Sequence, residues 1–207
     1  MKPLQDADIQ ALKAHFQGDV LRSDDTGYDE VRQIWNAMID RRPALIARCT
    51  STGDVVQAVT FAHKHNLLVS IRGGGHNIAG NAVCNDGLMI DLSPMNGVLV
   101  DPATRRASVG PGCTLADVDA AVQSHGLATP LGINSTTGVA GLTLGGGFGW
   151  LSRKFGMTID NLIAAEVVTA DGSLLHVSDA EHADLFWGLR GGGGKGEGGD
   201  DHQHRHE

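Results

Sequence analysis

The sequence predicts a two-lobed fold of mixed helices and strands, in the α+β class with an α/β unit in its first lobe. That unit consists of an apolar strand at 44–48 (ALIAR), a helical pattern (VVQAVTFAHKH) and a second apolar strand at 67–72 (LLVSIR). A strand–helix–strand order of this kind is the one that makes a parallel pair. From residue 87 the pattern changes to short strands separated by turns, so we place the boundary between the lobes near residues 92–96.

The remaining elements follow from local patterns of apolar, capping and turn residues. The N-terminal segment, residues 1–40, is predicted to be helical, and residues 41–194 form one domain with lobes of about 41–94 and 95–194. Residues 195–207 contain no apolar residue, cannot bury a core, and are predicted to be a disordered polar tail. The predicted elements are helices at about 6–17 and 28–39, the first strand, a helix from Thr52 or Asp54 to near Asn66, the second strand, short strands in GLMIDLS, GVLVD and ASVG, a helix in TLADVDAAVQSHG, a short helix at 150–155, a strand at about 162–170, a hairpin turn at 170–172 into LLHVS, and a helix near 180–189.

Composition excludes several classes of function. The chain has 207 residues, and its formal net charge of −8 argues against nucleic-acid binding, which needs a basic surface. No apolar stretch approaches the roughly 20 residues that span a bilayer, and the N-terminus lacks the apolar core of a signal peptide, so we predict a cytoplasmic protein. The three cysteines are odd in number and have no CxxC spacing, so we predict neither a disulfide framework nor a metal site.

Glycine is the compositional anomaly, with 29 residues clustered mainly at 73–75, 138–149 and 191–199. The first cluster stands in SIRGGGHNIAG, directly after an apolar strand. Glycines at such a point let the chain turn sharply and expose its N–H groups, which form a concave anion site, and Arg72 adds a positive charge. A diphosphate is the natural occupant. The pattern GxGxxG occurs only in the tail, with no strand before it and no helix after it, and is a by-product of low complexity there.

His76 ends the first glycine cluster, and phosphate binding does not require it. A single histidine is more often a hydrogen-bonded structural residue than a reactive one. Its place at the lip of the predicted anion loop favours a contact with whatever is attached to the phosphates.

Four segments, in order along the chain, carry a resemblance to a known family: RGGGHN, GVAGLTLGGGFGW, DNLIAAEVVTADG and FWGLRGGGG. They resemble the FAD-binding domain of the vanillyl-alcohol oxidase and p-cresol methylhydroxylase superfamily, with the berberine-bridge-enzyme-like FAD-linked oxidases as the most similar branch. The upstream spacing also fits, with Pro43, Asp54-Val55, Val59 and Val69 before the glycines. The resemblance covers about residues 40–194.

The resemblance implies roles for particular residues. Arg72 to Asn77 would wrap the FAD pyrophosphate, and His76 would be bonded to the 8α-methyl group of the flavin. Asn134 stands where relatives that attach flavin twice have a cysteine, which implies a single bond through His76. Val168 lies in a segment whose backbone would approach the adenosine, although a purely structural buried strand accounts for it equally well. The implied cofactor-binding residues are Arg72, Gly73, Gly74, Gly75, His76, Asn77, Asn134, Ser135, Thr136, Thr137, Gly138, Gly141, Gly145, Gly146 and Val168.

The implied function is an FAD-linked oxidoreductase that takes a hydride from an alcohol or amine carbon of a small-molecule substrate. Two alternatives stay open: a flavin-binding fragment without catalysis of its own, and an unrelated domain that binds ATP or NAD with its glycine loops. No residue is assigned a catalytic role. The resemblance stops at Gly194, so we expect a chain that lacks the substrate domain and some closing strands, which would leave an unpaired sheet edge.

Overall fold

The computed structural model describes residues 4–192 and 198–205 and has two sheets with helices packed against them. The helices of the N-terminal half are α1 (Asp6–Lys13), α2 (Tyr28–Val31) and α3 (Thr52–His65). Its strands are β1 (Asp19–Leu21), β2 (Leu45–Arg48), β3 (Val69–Arg72) and β4 (Leu88–Asp91). The C-terminal half contains β5 (Val98–Asp101), β6 (Arg106–Val109), α4 (Leu115–Gln123), α5 (Val139–Leu144), α6 (Ser152–Phe155), a 3-10 turn (Thr158–Asn161), β7 (Leu162–Val168), β8 (Leu174–Ser178), α7 (Ala183–Leu189) and β9 (Gly198–Arg205).

The first sheet has the strand order β1-β2-β4-β3. Both β2 and β3 run parallel to β4, while β1 is antiparallel to β2. The predicted direct pairing of the strands around α3 is therefore wrong, because β4 lies between them. All four residues of β4 are buried, which suits a central strand covered on both faces.

Helix α3 begins and ends where the sequence places it. The Ser51 hydroxyl accepts a hydrogen bond from the Asp54 N–H, and Asn66 ends the helix in a left-handed conformation with φ of 51°. The buried face of α3 packs on the first sheet through Val55, Ala58 and other small or branched residues, together with β2 and β4. This packing holds the C-terminal end of β3 in place, and the first glycine cluster follows directly.

The second sheet has the order β5-β6-β9-β7-β8, and all its pairs are antiparallel. Strand β9 covers residues 198–205, so the prediction of disorder is wrong there. Because β9 pairs with both β6 and β7, these two strands do not have the unpaired edge that we expected. Strand pairing uses backbone N–H and C=O groups, which a polar segment has as fully as an apolar one. The rest of the predicted tail, 195–197 and 206–207, lies outside the described residues.

The N-terminal segment is less helical than predicted. Helix α1 ends at Lys13 rather than near residue 17, and α2 is a single turn rather than a helix over 28–39. Past α2 the chain is held by contacts to other segments: the Trp35 backbone N–H donates to the Gly75 carbonyl, and the Asn36 side-chain amide donates to the Ile78 carbonyl. No helix in the described part of the chain is long and apolar enough to cross a membrane. The mixture of helices and strands agrees with the predicted α+β fold. Along the chain, the last strand of the first sheet ends at Asp91, and the first strand of the second sheet begins at Val98.

Candidate cofactor-binding site

The site is built where the loop after β3 meets the segment before α5. A Cβ atom added at Gly74 would lie 2.5 Å from the Gly138 Cα atom, and one added at Gly138 would lie 2.9 Å from the Gly74 Cα atom. Both distances are well below ordinary van der Waals contact between carbons. The two glycine segments, 64 residues apart in sequence, therefore contact each other through bare backbone, which only glycine at both positions permits.

The loop after β3 presents donors without protein acceptors. Within residues 4–192 and 198–205, the backbone N–H groups of Gly73, Gly74, Gly75 and His76 donate to no protein oxygen. Gly75 has φ of +70°, a left-handed conformation of the kind that lets successive backbone N–H groups point into one concave anion site. The loop thus has the chemistry predicted for it, a row of backbone donors after a strand.

The Arg72 side chain lies beside this loop, since a Cβ atom added at Gly75 would lie 3.6 Å from its Cδ atom, and its guanidinium makes structural contacts. Its Nε donates to the Asp91 carboxylate at 3.0 Å and its Nη2 lies 2.9 Å from the other carboxylate oxygen. Its Nη1 donates to the backbone carbonyls of Val31 and Gln33. Asp91 is fully buried, so this ion pair is largely shielded from solvent. The Asp91 carboxylate is shared with Arg48, whose Nε donates to it at 3.3 Å, so the two arginines and Asp91 together keep one positive charge. The predicted charge of Arg72 beside a bound phosphate stays a prediction.

His76 is held on one face and at one ring nitrogen. The indole of Trp35 stacks on the imidazole with centroids 5.1 Å apart and an angle of 23° between the planes. The His76 Nε2 lies 2.9 Å from the Thr136 hydroxyl. Partial burial lowers the pKa of His76 below its usual value, because desolvation disfavours the imidazolium form. The ring is therefore neutral near pH 7 and has one unprotonated nitrogen.

The second segment, residues 134–138, forms a tight turn beside His76. The Thr137 N–H donates to the Asn134 carbonyl at 3.0 Å, and the Ser135 and Thr137 carbonyls accept from the N–H groups of α4's first turn. Asn134, Ser135 and Thr136 keep exposed side chains at this turn. The structure thus brings together the two predicted halves of the site, around His76 on one side and Thr136 on the other.

The other predicted residues are distributed around this junction. Asn77 closes a turn of its own, since its side chain accepts from the Asn81 N–H. Gly141 is exposed on α5 with open space around it, and Gly145 and Gly146 form the end of that helix. Val168 is buried within β7, in the core cluster that includes α3, and pairs with Leu174 of β8.

Trp35 is the site residue that the sequence did not indicate. It lies in an irregular segment 41 positions before His76, and no motif includes it. Its backbone N–H donates to the Gly75 carbonyl at 3.2 Å, so the backbone that carries the indole is tied to the glycine loop. A cavity of about 300 Å³ borders the same loop and also Arg72. Its other polar wall residues, none of which the sequence indicated, are Gln33, Ser93, Asn96, Thr114 and Asp117.

Taken together, the fold and the site define a nucleotide-cofactor-binding domain in which a glycine loop and a neutral histidine converge. The family model for the FAD binding domain matches residues 43–178, and the chain belongs to this family.

Known relatives agree in sequence and in structure. The chain is 41% identical over 183 residues to (R)-6-hydroxynicotine oxidase of Paenarthrobacter nicotinovorans, a match that covers 88% of this chain and 40% of that protein. It is 36% identical over 193 residues to an FAD-linked oxidoreductase of Aspergillus terreus, covering 92% of this chain and 39% of the other.

Solved structures give the same result. The crystal structure of 6-hydroxy-D-nicotine oxidase from Arthrobacter nicotinovorans matches with a TM-score of 0.90 and 38% identity, over 92% of this chain and 42% of that one. Glucooligosaccharide oxidase of Acremonium strictum, described with a 6-S-cysteinyl, 8α-N1-histidyl FAD, matches with a TM-score of 0.90 and 33% identity, over 97% and 42%. The predicted family and fold class are confirmed, and the chain spans about 40% of the length of these relatives.

Proposed function

We propose that this chain is the FAD-binding domain of an FAD-linked oxidase that carries its flavin covalently on His76 and acts on an alcohol or amine carbon of a small molecule. The observation that supports this most directly is the Gly74–Gly138 contact, which brings the donor loop and His76 against the turn at Thr136. The flavin-binding unit would comprise residues 41–194 in two lobes.

The residues present fit FAD. The donors of Gly73 to His76 would bind the diphosphate, and the exposed hydroxyls and amide of residues 134–137 would contact polar atoms of the cofactor. The exposed surface of Gly141 allows a ligand to approach the backbone of α5 closely. When bound, FAD supplies the electron acceptor for hydride removal.

Attachment to His76 would use the neutral imidazole. His76 would hold the flavin through a C–N bond to its 8α carbon, for which the imidazole and that carbon would each lose one hydrogen. Molecular oxygen would take both hydrogens with their two electrons and leave as H₂O₂. Asn134 has no thiol and stands where doubly linked relatives have a cysteine, so attachment would be single.

The test is acid precipitation of the purified chain followed by peptide mapping. We expect flavin fluorescence to stay with the pellet and to map to the peptide that contains His76. His76→Ala should abolish acid-stable flavin, while His63→Ala, a substitution on the exposed face of α3, should leave it unchanged. Flavin released wholly into the supernatant from the unaltered chain would refute covalent attachment, and a colourless protein would refute FAD binding.

The lowered pKa of His76 predicts a pH dependence for attachment. A protonated ring has no lone pair, so attachment should fail as the pH falls through the folded-state pKa, which lies below the ordinary imidazole value of 6.5. The groups that face the ring, Trp35 and Thr136, are uncharged, so the midpoint should respond little to salt. A midpoint above 6.5, measured by acid-stable fluorescence after reconstitution at different pH values, would contradict this.

The second candidate is a flavin-binding module without turnover. The chain spans about 40% of its relatives, so activity is a separate question from cofactor binding. Release of H₂O₂ with amines, alcohols and sugars would support the oxidase. Acid-stable flavin without H₂O₂ release, under conditions where a full-length relative turns over, would favour the module.

A further inference from the structure

A short chain of hydrogen bonds joins Asn134, Thr136 and His76. The Asn134 Oδ1 accepts from the Thr136 backbone N–H at 3.2 Å and lies 2.9 Å from the Thr136 hydroxyl. That hydroxyl in turn lies 2.9 Å from the His76 Nε2. Three groups thus share two side-chain hydrogen bonds, and their proton positions can be worked out in sequence.

The backbone N–H of Thr136 determines the first step. A backbone N–H can only donate, so the Asn134 atom that faces it must be the carbonyl oxygen rather than the amide nitrogen. An amide oxygen can only accept, so the neighbouring Thr136 hydroxyl must donate its single hydrogen to Asn134.

The second step follows from the hydroxyl's one hydrogen. Since Thr136 has already donated it, only its oxygen lone pairs remain for His76, and Nε2 must be the donor. In a neutral imidazole the other nitrogen, Nδ1, then carries the lone pair. Partial burial favours this neutral form over the imidazolium.

Trp35 limits rotation of the same ring. The stacked indole covers one face of the imidazole, and the Trp35 backbone N–H donates to the carbonyl of Gly75, one residue before His76. A flip of the imidazole that exchanged Nδ1 and Nε2 would have to break the hydrogen bond between Nε2 and the Thr136 hydroxyl while the ring stayed packed against the indole.

We propose that Asn134 and Thr136 are positioning residues that hold His76 in its Nε2–H tautomer, so that Nδ1 is the nitrogen available for the flavin. This rests on the proposed function in that His76 receives the cofactor. It also gives Asn134 a role of its own at the position where doubly linked relatives have a cysteine.

The first test reads the tautomer without flavin. Imidazole ¹⁵N NMR of the flavin-free full chain, with His76 assigned by its loss in His76→Ala, should show Nε2 protonated. Thr136→Val removes the acceptor, and Asn134→Leu frees the hydroxyl to donate to Nε2. We expect each to lower the Nε2–H to Nδ1–H ratio by roughly two- to tenfold, the size of one modest hydrogen bond. Thr136→Ser should restore it.

The second test uses the FAD-loaded chain and does not depend on NMR of the flavin-free form. The flavin peptide should be linked through Nδ1. The initial rate of acid-stable attachment should fall in Asn134→Leu and Thr136→Val, by at most the factor by which the tautomer ratio falls, but not in Thr136→Ser. Dispersed amide spectra establish that each variant is folded.

The outcomes separate the two proposals. Attachment at Nε2, or an unchanged tautomer ratio in folded Thr136→Val and Asn134→Leu, overturns the positioning role while leaving covalent FAD intact. Attachment at a residue other than His76 overturns the proposed function, whatever the NMR shows.

Discussion

Replacing Gly74 by alanine tests the backbone contact on which the site depends. The new Cβ would lie 2.5 Å from the Gly138 Cα atom and 3.2 Å from the Thr137 carbonyl carbon. Carbon atoms pack at about 3.5–4.0 Å, so the two segments must separate by roughly 1 Å. Both partners are backbone, and no side chain can rotate away.

Overpacking of this kind costs about 1–3 kcal/mol. For a domain of this size each kcal/mol lowers the melting temperature by about 2–4 °C, so we expect a decrease of roughly 2–12 °C. The displaced loop also moves His76 relative to Thr136, so acid-stable flavin should decrease in the same variant. Melting is followed by circular dichroism, and flavin by fluorescence of the acid pellet.

Gly188→Ala is the matched control. Gly188 lies exposed on α7, and a Cβ atom there would meet nothing within 4 Å. Alanine should stabilise that helix by up to about 1 kcal/mol and leave the flavin unchanged. If Gly74→Ala melts within about 1 °C of the unaltered chain and binds as much flavin, the Gly74–Gly138 contact does not build the site.

Three further predictions concern single residues. Gly141→Ala should keep or raise the melting temperature, because the added Cβ has open space. It should weaken FAD binding several-fold if the cofactor approaches this backbone, and an unchanged affinity in a fluorescence titration would show that Gly141 is not part of the site. Asp91→Ala should destabilise the fold by about 3–5 kcal/mol, since it leaves the largely buried Arg72 without its carboxylate; a urea midpoint close to that of the unaltered chain would show that the pair contributes little. Tyr28→Phe removes the bond from the buried phenol to the Pro43 carbonyl and should cost about 1–3 kcal/mol without altering flavin attachment; lost attachment with normal stability would indicate a role in the site.

The local elements were largely predictable because their causes are local. Helix α3 has its cap residue and its terminating Asn66 within the sequence that forms it, and the β7–β8 hairpin has its turn residues between its strands. The N-terminal segment after α2 was predicted wrongly because its conformation depends on distant partners, such as the bond from the Trp35 N–H to the Gly75 carbonyl. Strand β9 was missed because an apolar pattern predicts burial of side chains, whereas pairing requires only backbone groups.

The glycine loop and His76 could be located from the sequence alone, because three consecutive glycines directly after an apolar strand indicate a backbone that a ligand approaches closely. The sequence also pointed to the second glycine segment as part of the same site, by its resemblance to a family. What the tertiary structure alone decided is which atoms meet. Arg72 forms an ion pair with Asp91, and the Trp35 indole stacks on His76. The hydrogen bond between Thr136 and Asn134 determines where the imidazole proton lies. The contacts of Arg72 and His76 join residues 19 to 60 positions apart in sequence. Differences of a few tenths of an ångström decide which donor meets which acceptor, and only the folded chain sets those distances.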